Sequence, residues 1–492
     1  MTKTLLHPRA KLPISTRHHP RTLPSPEMIP ISIASLAVLT LLIVPWPLNL
    51  LAVAGGAAFV MAWFNPPVAL ALAVVSVPVQ SVGEYSAGAF TFRYTFTVVW
   101  AIILAWTARR LIAREPVRLG FISLALLAHV VVVGLSGVVA ADTGLWAAEL
   151  YRWSIALVVF IIAVDVSARS DVVRPLVVGM SLATTGASVY GIYQVVEGTG
   201  PRAFNVDGLL RAYSTFGQPN PFAGYLGISV PLLFALSASW WKDRAASPHL
   251  FGGVIASITG GGALLGMVAL TLTQSRGGWV GVTLGLGVVA WLVGGRVRWG
   301  SIIIVGLIAV IASATPVGPR VAERWDAVDL SLSNEVQVTA INFATRERIA
   351  HWRAGVAMVK DEPWLGVGAG NFSRHYRNET VEWRFRVPRG HAHNAFIQVA
   401  ALTGIIGLLT YAMFIGAVAW RLVRALLTSD GAGRRGVVVG AIGVTVAFNV
   451  HNLFDYLHVL NFSVQLGVVW AMAVSSQQWI GSDERSGAES ER

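Results

Sequence analysis

Arg211, Arg276, and the pair His391 and His393 are the residues of this chain whose type and setting suit chemistry. Arg276 stands in TLTQSRGGWVG, between two apolar runs. A guanidinium at a membrane boundary is costly unless it snorkels or meets an anion. The adjoining Gly277-Gly278 lets a ligand approach the backbone closely. A snorkelling or salt-bridged arginine beside helix-packing glycines is the plainer alternative. Arg211 precedes the Pro219-Asn220-Pro221 turn that opens another apolar run. Proline at the first helical position and an exposed helix N-terminus make an anion-facing site, with Asn220 beside it. An ordinary loop arginine fits the same residues. His391 and His393 lie in RGHAHNAFIQVAALTGIIG. His-x-His suggests a metal, yet no third ligand with suitable spacing stands nearby, so the expectation is no metal. A neutral imidazole at a bilayer surface suits a general base instead. A histidine that merely opens a helix is the bland reading. Asn394 either orients the ring or caps the helix that follows.

The elements that position these residues must be membrane helices. Hydrophobic residues make up 54% of the 492 and charged ones 13%, about half the charged share of a soluble globular chain. Mean hydropathy is +0.62. Apolar runs lie near 29–45, 48–64, 66–82, 94–112, 119–140, 146–167, 174–195, 221–241, 250–273, 278–294, 300–316, 394–420, 436–450 and 458–477. At ~20 residues per span, these predict an all-α, polytopic membrane protein of about 12–14 transmembrane helices with one large outer loop. A soluble enzyme is excluded.

Charge orients the spans. With the basic, Pro-rich segment 1–28 inside, alternation places Arg109, Arg110, Arg114 and Arg118 in the cytoplasm. Arg169 and Arg174, Lys242 and Arg244, Arg296 and Arg298, and Arg421, Arg424, Arg434 and Arg435 follow on the same side. Every one of these loops is a Lys/Arg cluster, as the positive-inside rule requires. That bias accounts for the net charge of +12 without nucleic acid as a partner. Both termini fall in the cytoplasm, and no cleavage site marks a signal peptide. The expected organisation is a tail over 1–28, a helical bundle over 29–316, an outer loop over 317–393, helices over 394–477 and a tail over 478–492. Membrane lipids are the surroundings throughout.

The loop 196–220, the turn around Ser275-Arg276-Gly277, the loop 317–393 and the turn 451–457 are expected outside. Within the long loop, Ile349, Trp352, Val356 and Val359 share one face at helical spacing. That helix lies on the membrane surface or caps the bundle. EPWLGVGAGNF (362–372) follows a helix rather than a strand and is read as a tight turn, not a nucleotide-binding loop. Arg374, Arg377, Arg384, Arg386 and Arg389, with Glu379 and Glu382 between them, are mostly a solvated face. His451-Asn452, just before Phe454-Asp455-Tyr456, supports the site from another outer turn. No D-x-D pair appears on an outer loop, which gives metal-assisted transfer little support. Cysteine is absent, so there are no disulfides and no thiol nucleophile.

Four stretches together resemble the O-antigen ligase and polymerase superfamily of bacterial envelope glycosyltransferases. They are RAYSTFGQPNPFAGYL (211–226), TQSRGGWVG (273–281), the run WRAGVAMVKDEPWLGVGAGNF (352–372) and HAHNAFIQVAALTGIIG (391–407). The resemblance covers about the last three-fifths of the chain. It implies metal-free, cofactor-free transfer of a glycan from undecaprenyl diphosphate to a hydroxyl of a glycan, glycolipid or protein acceptor. The setting it implies is the bacterial inner membrane, with the active site facing the periplasm. By position, Arg211 and Arg276 match the family's essential arginines and His393 its essential histidine. Asn220, His391 and Asn394 are expected to bind substrate beside them. Ligase and polymerase are not separated by these motifs. A transporter or flippase for lipid-linked or anionic solutes is the competing class, though no inverted repeat and few mid-span charges support it.

Overall fold

The computed structural model describes residues 48–80, 85–87, 90–117, 119–206, 208–244, 250–300, 342–377, 383–429 and 431–475, with Ser32, Ser35 and Val338 as isolated positions. Both expected tails, nearly all of the runs 29–45 and 300–316, and most of 317–341 lie outside these residues. Helices occupy the other twelve apolar runs. They are α1 (Leu48–Phe64), α2 (Pro66–Ser76), α3 (Tyr94–Ala113), α4 (Phe121–Leu135), α5 (Thr143–Ser167), α6 (Val173–Val196), α7 (Pro219–Arg244), α8 (Leu250–Thr273) and α9 (Arg276–Val293). After α10 (Phe343–Asp361) and the short α11 (Phe372–Tyr376) come α12 (Ala395–Leu427), α13 (Ala432–His451) and α14 (Phe462–Ser475). Strands are confined, among the described residues, to two antiparallel ribbons, Tyr85–Ala87 with Phe90–Phe92 and Asn205–Val206 with Leu209–Leu210. The chain is a polytopic, all-α membrane protein. Among the described residues, eight helices have the length and apolarity to cross a bilayer.

Helix α7 is the axis of the bundle. Of its most apolar window 89% is buried, against 28% for α3, because α8, α9 and α13 all pack on it. Glycine permits the tightest of the neighbouring crossings. Gly281 and Gly285 of α9 are four residues apart and so share a face. A Cβ on either would lie 2.5 Å from Ala447 O or 2.6 Å from Gly443 O of α13. Such small-residue faces let helix backbones meet where lipid supplies no hydrophobic drive. The crossing sets the N-terminus of α9, with Arg276, beside the C-terminus of α13, where the Gly277 position meets His451. At the opposite end of the bundle, Arg110 pairs with Asp165 and with Glu115, and Arg169 bridges to Glu115 at 2.7 Å.

The run 394–420 has the length and apolarity of one span, but its helix is broken. At Gly404 the backbone turns to φ 68°, ψ −169°, a non-helical break inside α12. In an unbroken helix the Ile405 N–H would donate to the Ala401 carbonyl. The break parts them, and the glycine-rich turn repairs both groups: Ile405 N–H donates to Pro363 O (2.8 Å) and Val367 N–H to Ala401 O (2.9 Å). On its other flank, Ala369 N–H donates to Ser136 Oγ, and the Asn371 side chain bonds both backbone groups of Asp142. The turn reading of 362–372 therefore describes a clamp. It fastens α10 to the bundle through α12 on one side and the α4–α5 connection on the other.

Helix α10 caps the bundle, but not on the expected face. Ile349 is buried, Trp352 is half-buried and Val356 is 43% exposed. The buried face instead runs through Thr345, Ile349, His351, Ala354, Gly355 and Met358. Apolar spacing misplaced it because the true face carries a histidine and a glycine. His351 stacks on Tyr376 at 4.5 Å, and Gly355 admits Ile397 of α12.

Candidate active site

Four membrane-helix ends meet under α10, and each brings one of the residues that chemistry needs. Arg276 is the first residue of α9, capped by Ser275, whose Oγ accepts from Gly278 N–H. Its guanidinium donates to Thr345 Oγ1 of α10 at 3.2 Å. Arg211 precedes α7; its Nε–H donates to Thr273 O at the end of α8 (2.8 Å) and its second amino group to Asn220 Oδ1 (3.0 Å). These contacts hold both guanidinium groups at the rim of one cavity of about 140 Å³. Arg211, Asn220, Arg276, Arg348, Trp352 and Phe454 are among the residues lining it. Fork-shaped, permanently charged guanidiniums at such a wall suit phosphate oxygens.

Asn220 links that cavity to an acid. Its Nδ2 donates to Asp455 Oδ2 at 2.9 Å, while Asp455 Oδ1 accepts the Tyr456 N–H at 2.8 Å. The same Oδ1 stands 3.4 Å from His393 Nδ1 and 3.9 Å from His391 Nδ1. Burial disfavours a charged Asp455, but the facing His393 ring, His391 and Arg348 outweigh it and hold the carboxyl well below its usual range. Burial first, and then the neighbouring His393, pushes His391 down to about 4.

His393 adopts φ 53°, which a residue with a side chain reaches only at a cost. Three contacts hold that bend. Trp352 Nε1–H donates to the His393 carbonyl (3.2 Å), His391 Nδ1 accepts the His393 N–H (3.2 Å), and the Ala392 N–H donates to Gln398 Oε1 (2.7 Å). Asn394 caps α12: its Oδ1 accepts from Phe396 and Ile397 N–H, and its Nδ2 donates to Leu453 O. Of the two roles the sequence allowed it, the structure uses the cap, and these bonds engage both ends of its amide.

The six residues singled out in the sequence thus come together: Arg211, Asn220 and Arg276 at the cavity, His391 and His393 on Asp455, and Asn394 beneath them. Residues that sequence reasoning passed over complete the site. Arg348 lines the cavity with its Nε–H on Phe454 O at 3.0 Å. A signal for it existed. Ala344, Thr345, Arg348 and Trp352 recur at helical spacing and form the cavity-facing stripe of α10. His351, edge-on to His393 at 5.3 Å, supports the ring from behind. Its Nδ1 meets Glu347 O at 2.8 Å and its Nε2 accepts the Arg389 N–H, an arrangement that suits the neutral ring. Burial pushes it down to about 4. Asp455 was visible only as part of a supporting outer turn.

Residues 261–412 match the family model for O-antigen ligase. The match supports the O-antigen ligase and polymerase superfamily. The matched stretch carries Arg276, Arg348, His391 and His393, while Arg211, Asn220 and Asp455 join them from outside it. The matched family implies a glycosyltransferase-type enzyme working on a lipid-linked glycan and a glycan acceptor. No curated protein matches the sequence.

Proposed function

We propose that the chain transfers a glycan from undecaprenyl diphosphate to an acceptor hydroxyl at the periplasmic face of the bacterial inner membrane. The observation that carries this reading is the convergence of Arg211, Arg276 and Arg348 on one cavity whose wall connects, through Asn220, to Asp455 and His393. A lipid diphosphate presents its charge at the membrane surface, where the ends of membrane helices also lie. The acceptor oxygen forms a bond to the anomeric carbon as the bond from that carbon to the diphosphate oxygen breaks. The electron pair leaves with the diphosphate, and the arginines stabilise the charge growing there. The hydroxyl proton passes to His393 Nε2. Asp455 faces Nδ1, fixes the ring's tautomer and stabilises the imidazolium that results. The free energy resides in the anomeric diphosphate bond, so no nucleotide is consumed. Ligase and polymerase share this step and differ only in the acceptor.

The test is direct. Purified protein is given a polyprenyl-diphosphate glycan and a glycan acceptor, and release of polyprenyl diphosphate is followed. Release that requires acceptor and disappears in Arg276→Ala supports the reading. Equal release by that variant removes the arginine cavity from the mechanism.

A further inference from the structure

We propose that His391, His393 and Asp455 form a transition-metal site, suited to Zn²⁺, and that an ion bound there withholds His393 from transfer. The second half rests on His393 being the base; the first half does not. Nothing in the sequence offered a third ligand to the His-x-His pair. Asp455 arrives from beyond the end of α13, and one ligating atom from each residue lies within 4.8 Å of the others. Zinc binds nitrogen and oxygen at ~2.0–2.2 Å in a tetrahedron, so two donors on one ion sit about 3.3 Å apart. His393 Nδ1 and Asp455 Oδ1 already stand at 3.4 Å, and His391 Nδ1 is 3.9 Å from the same oxygen. Closing half an ångström and giving up the single 3.2 Å hydrogen bond to His391 Nδ1 completes three ligands.

A second observation points the same way. His393 Nε2 is buried with no hydrogen-bond partner among the described residues, and Nδ1 is faced only by Asp455 Oδ1 at 3.4 Å; a buried polar group in that condition calls for a missing partner. Two imidazoles and a carboxylate, with a fourth position open, are a donor set zinc takes readily. Asn220 occupies Asp455 Oδ2, and Oδ1, which also accepts the Tyr456 N–H, faces the rings. An ion on His393 Nδ1 forces the ring proton onto Nε2, the atom that must be bare to accept the proton of an acceptor hydroxyl. Filling the site therefore stops transfer without touching the arginine cavity.

Cobalt reads the site without any substrate. The purified, metal-free protein should bind one Co²⁺ with the strong visible absorption of a four- or five-coordinate ion, which Zn²⁺ displaces. The chain has no cysteine, so His391→Cys introduces a lone thiol and should add a thiolate-to-cobalt charge-transfer band. Asp455→Asn should weaken Co²⁺ binding at least tenfold. No visible band from the native protein, or no charge-transfer band from folded His391→Cys, overturns the site. Unchanged affinity in Asp455→Asn overturns it as well; should that variant not fold, the cysteine band decides alone. Zn²⁺ should also inhibit polyprenyl diphosphate release, and EDTA should restore it. Transfer that is indifferent to a bound ion overturns the inhibition, and transfer that Zn²⁺ accelerates overturns the inhibition and the histidine-base reading together. If metal-free protein releases nothing, the proposed function fails while the cobalt spectrum still decides the site.

Discussion

Asp455→Asn keeps the shape of the side chain and removes its charge, so it separates positioning from electrostatics. The carboxylate accepts from two fixed donors, Asn220 Nδ2 and the Tyr456 N–H. An amide has one oxygen and can satisfy only one of them. A buried donor left unmet costs about 1–3 kcal/mol, which a thermal-melt assay in detergent should register as a lower midpoint. The effect on turnover is separate. At the 3.4 Å between Asp455 Oδ1 and His393 Nδ1, a unit charge stabilises an imidazolium by about 1 kcal/mol at the dielectric of water and about 5 kcal/mol at an effective value of 20. Single-turnover transfer at saturating donor should therefore fall by about 5- to 5 × 10³-fold. Donor affinity should hold or rise, because a negative charge has left the neighbourhood of a phosphate site. Folded Asp455→Asn that transfers within threefold of the native rate would refute the pairing of this acid with His393.

Arg276→Lys keeps the charge but loses the forked donor geometry and the reach to Thr345, so it should remain badly impaired in transfer. A near-native rate would show that charge alone suffices there. Arg348→Ala should weaken binding of a polyprenyl-diphosphate donor at least tenfold by direct titration; unchanged affinity would take Arg348 out of the anion site. Gly366→Ala should destabilise the protein by at least about 2 kcal/mol in a chemical-denaturation or thermal assay. Its φ is 66° and the added Cβ would lie 2.5 Å from Leu402 C, so a neutral result would disprove the clamp on α12. Reporters fused after residue 340 and near residue 430 should report opposite sides of the membrane, and a shared side would relocate the site.

Hydropathy alone determined that helices would span the chain, since a bilayer leaves a 54% hydrophobic sequence few other folds. The site's charged edge was legible for a related reason. An arginine such as Arg276, placed where the inside bias offers no explanation, must have a local one. Three things were not legible, and each for a physical cause. The break at Gly404 depends on a partner strand of backbone, Pro363–Val367, that takes up the two groups it frees; a glycine in an apolar run does not reveal whether such a partner exists. The buried face of α10 was misplaced because burial there is achieved by stacking His351 and by a glycine contact, which apolar counting does not weigh. Asp455 meets His391 and His393 because the turn after α13 is tied to the start of α12, where the Ala395 N–H donates to Asn452 O and Asn394 Nδ2 to Leu453 O. Side-chain chemistry follows from residue type, which a sequence states outright. Which residues share a cavity follows from how closely helices pack, and that is decided in three dimensions.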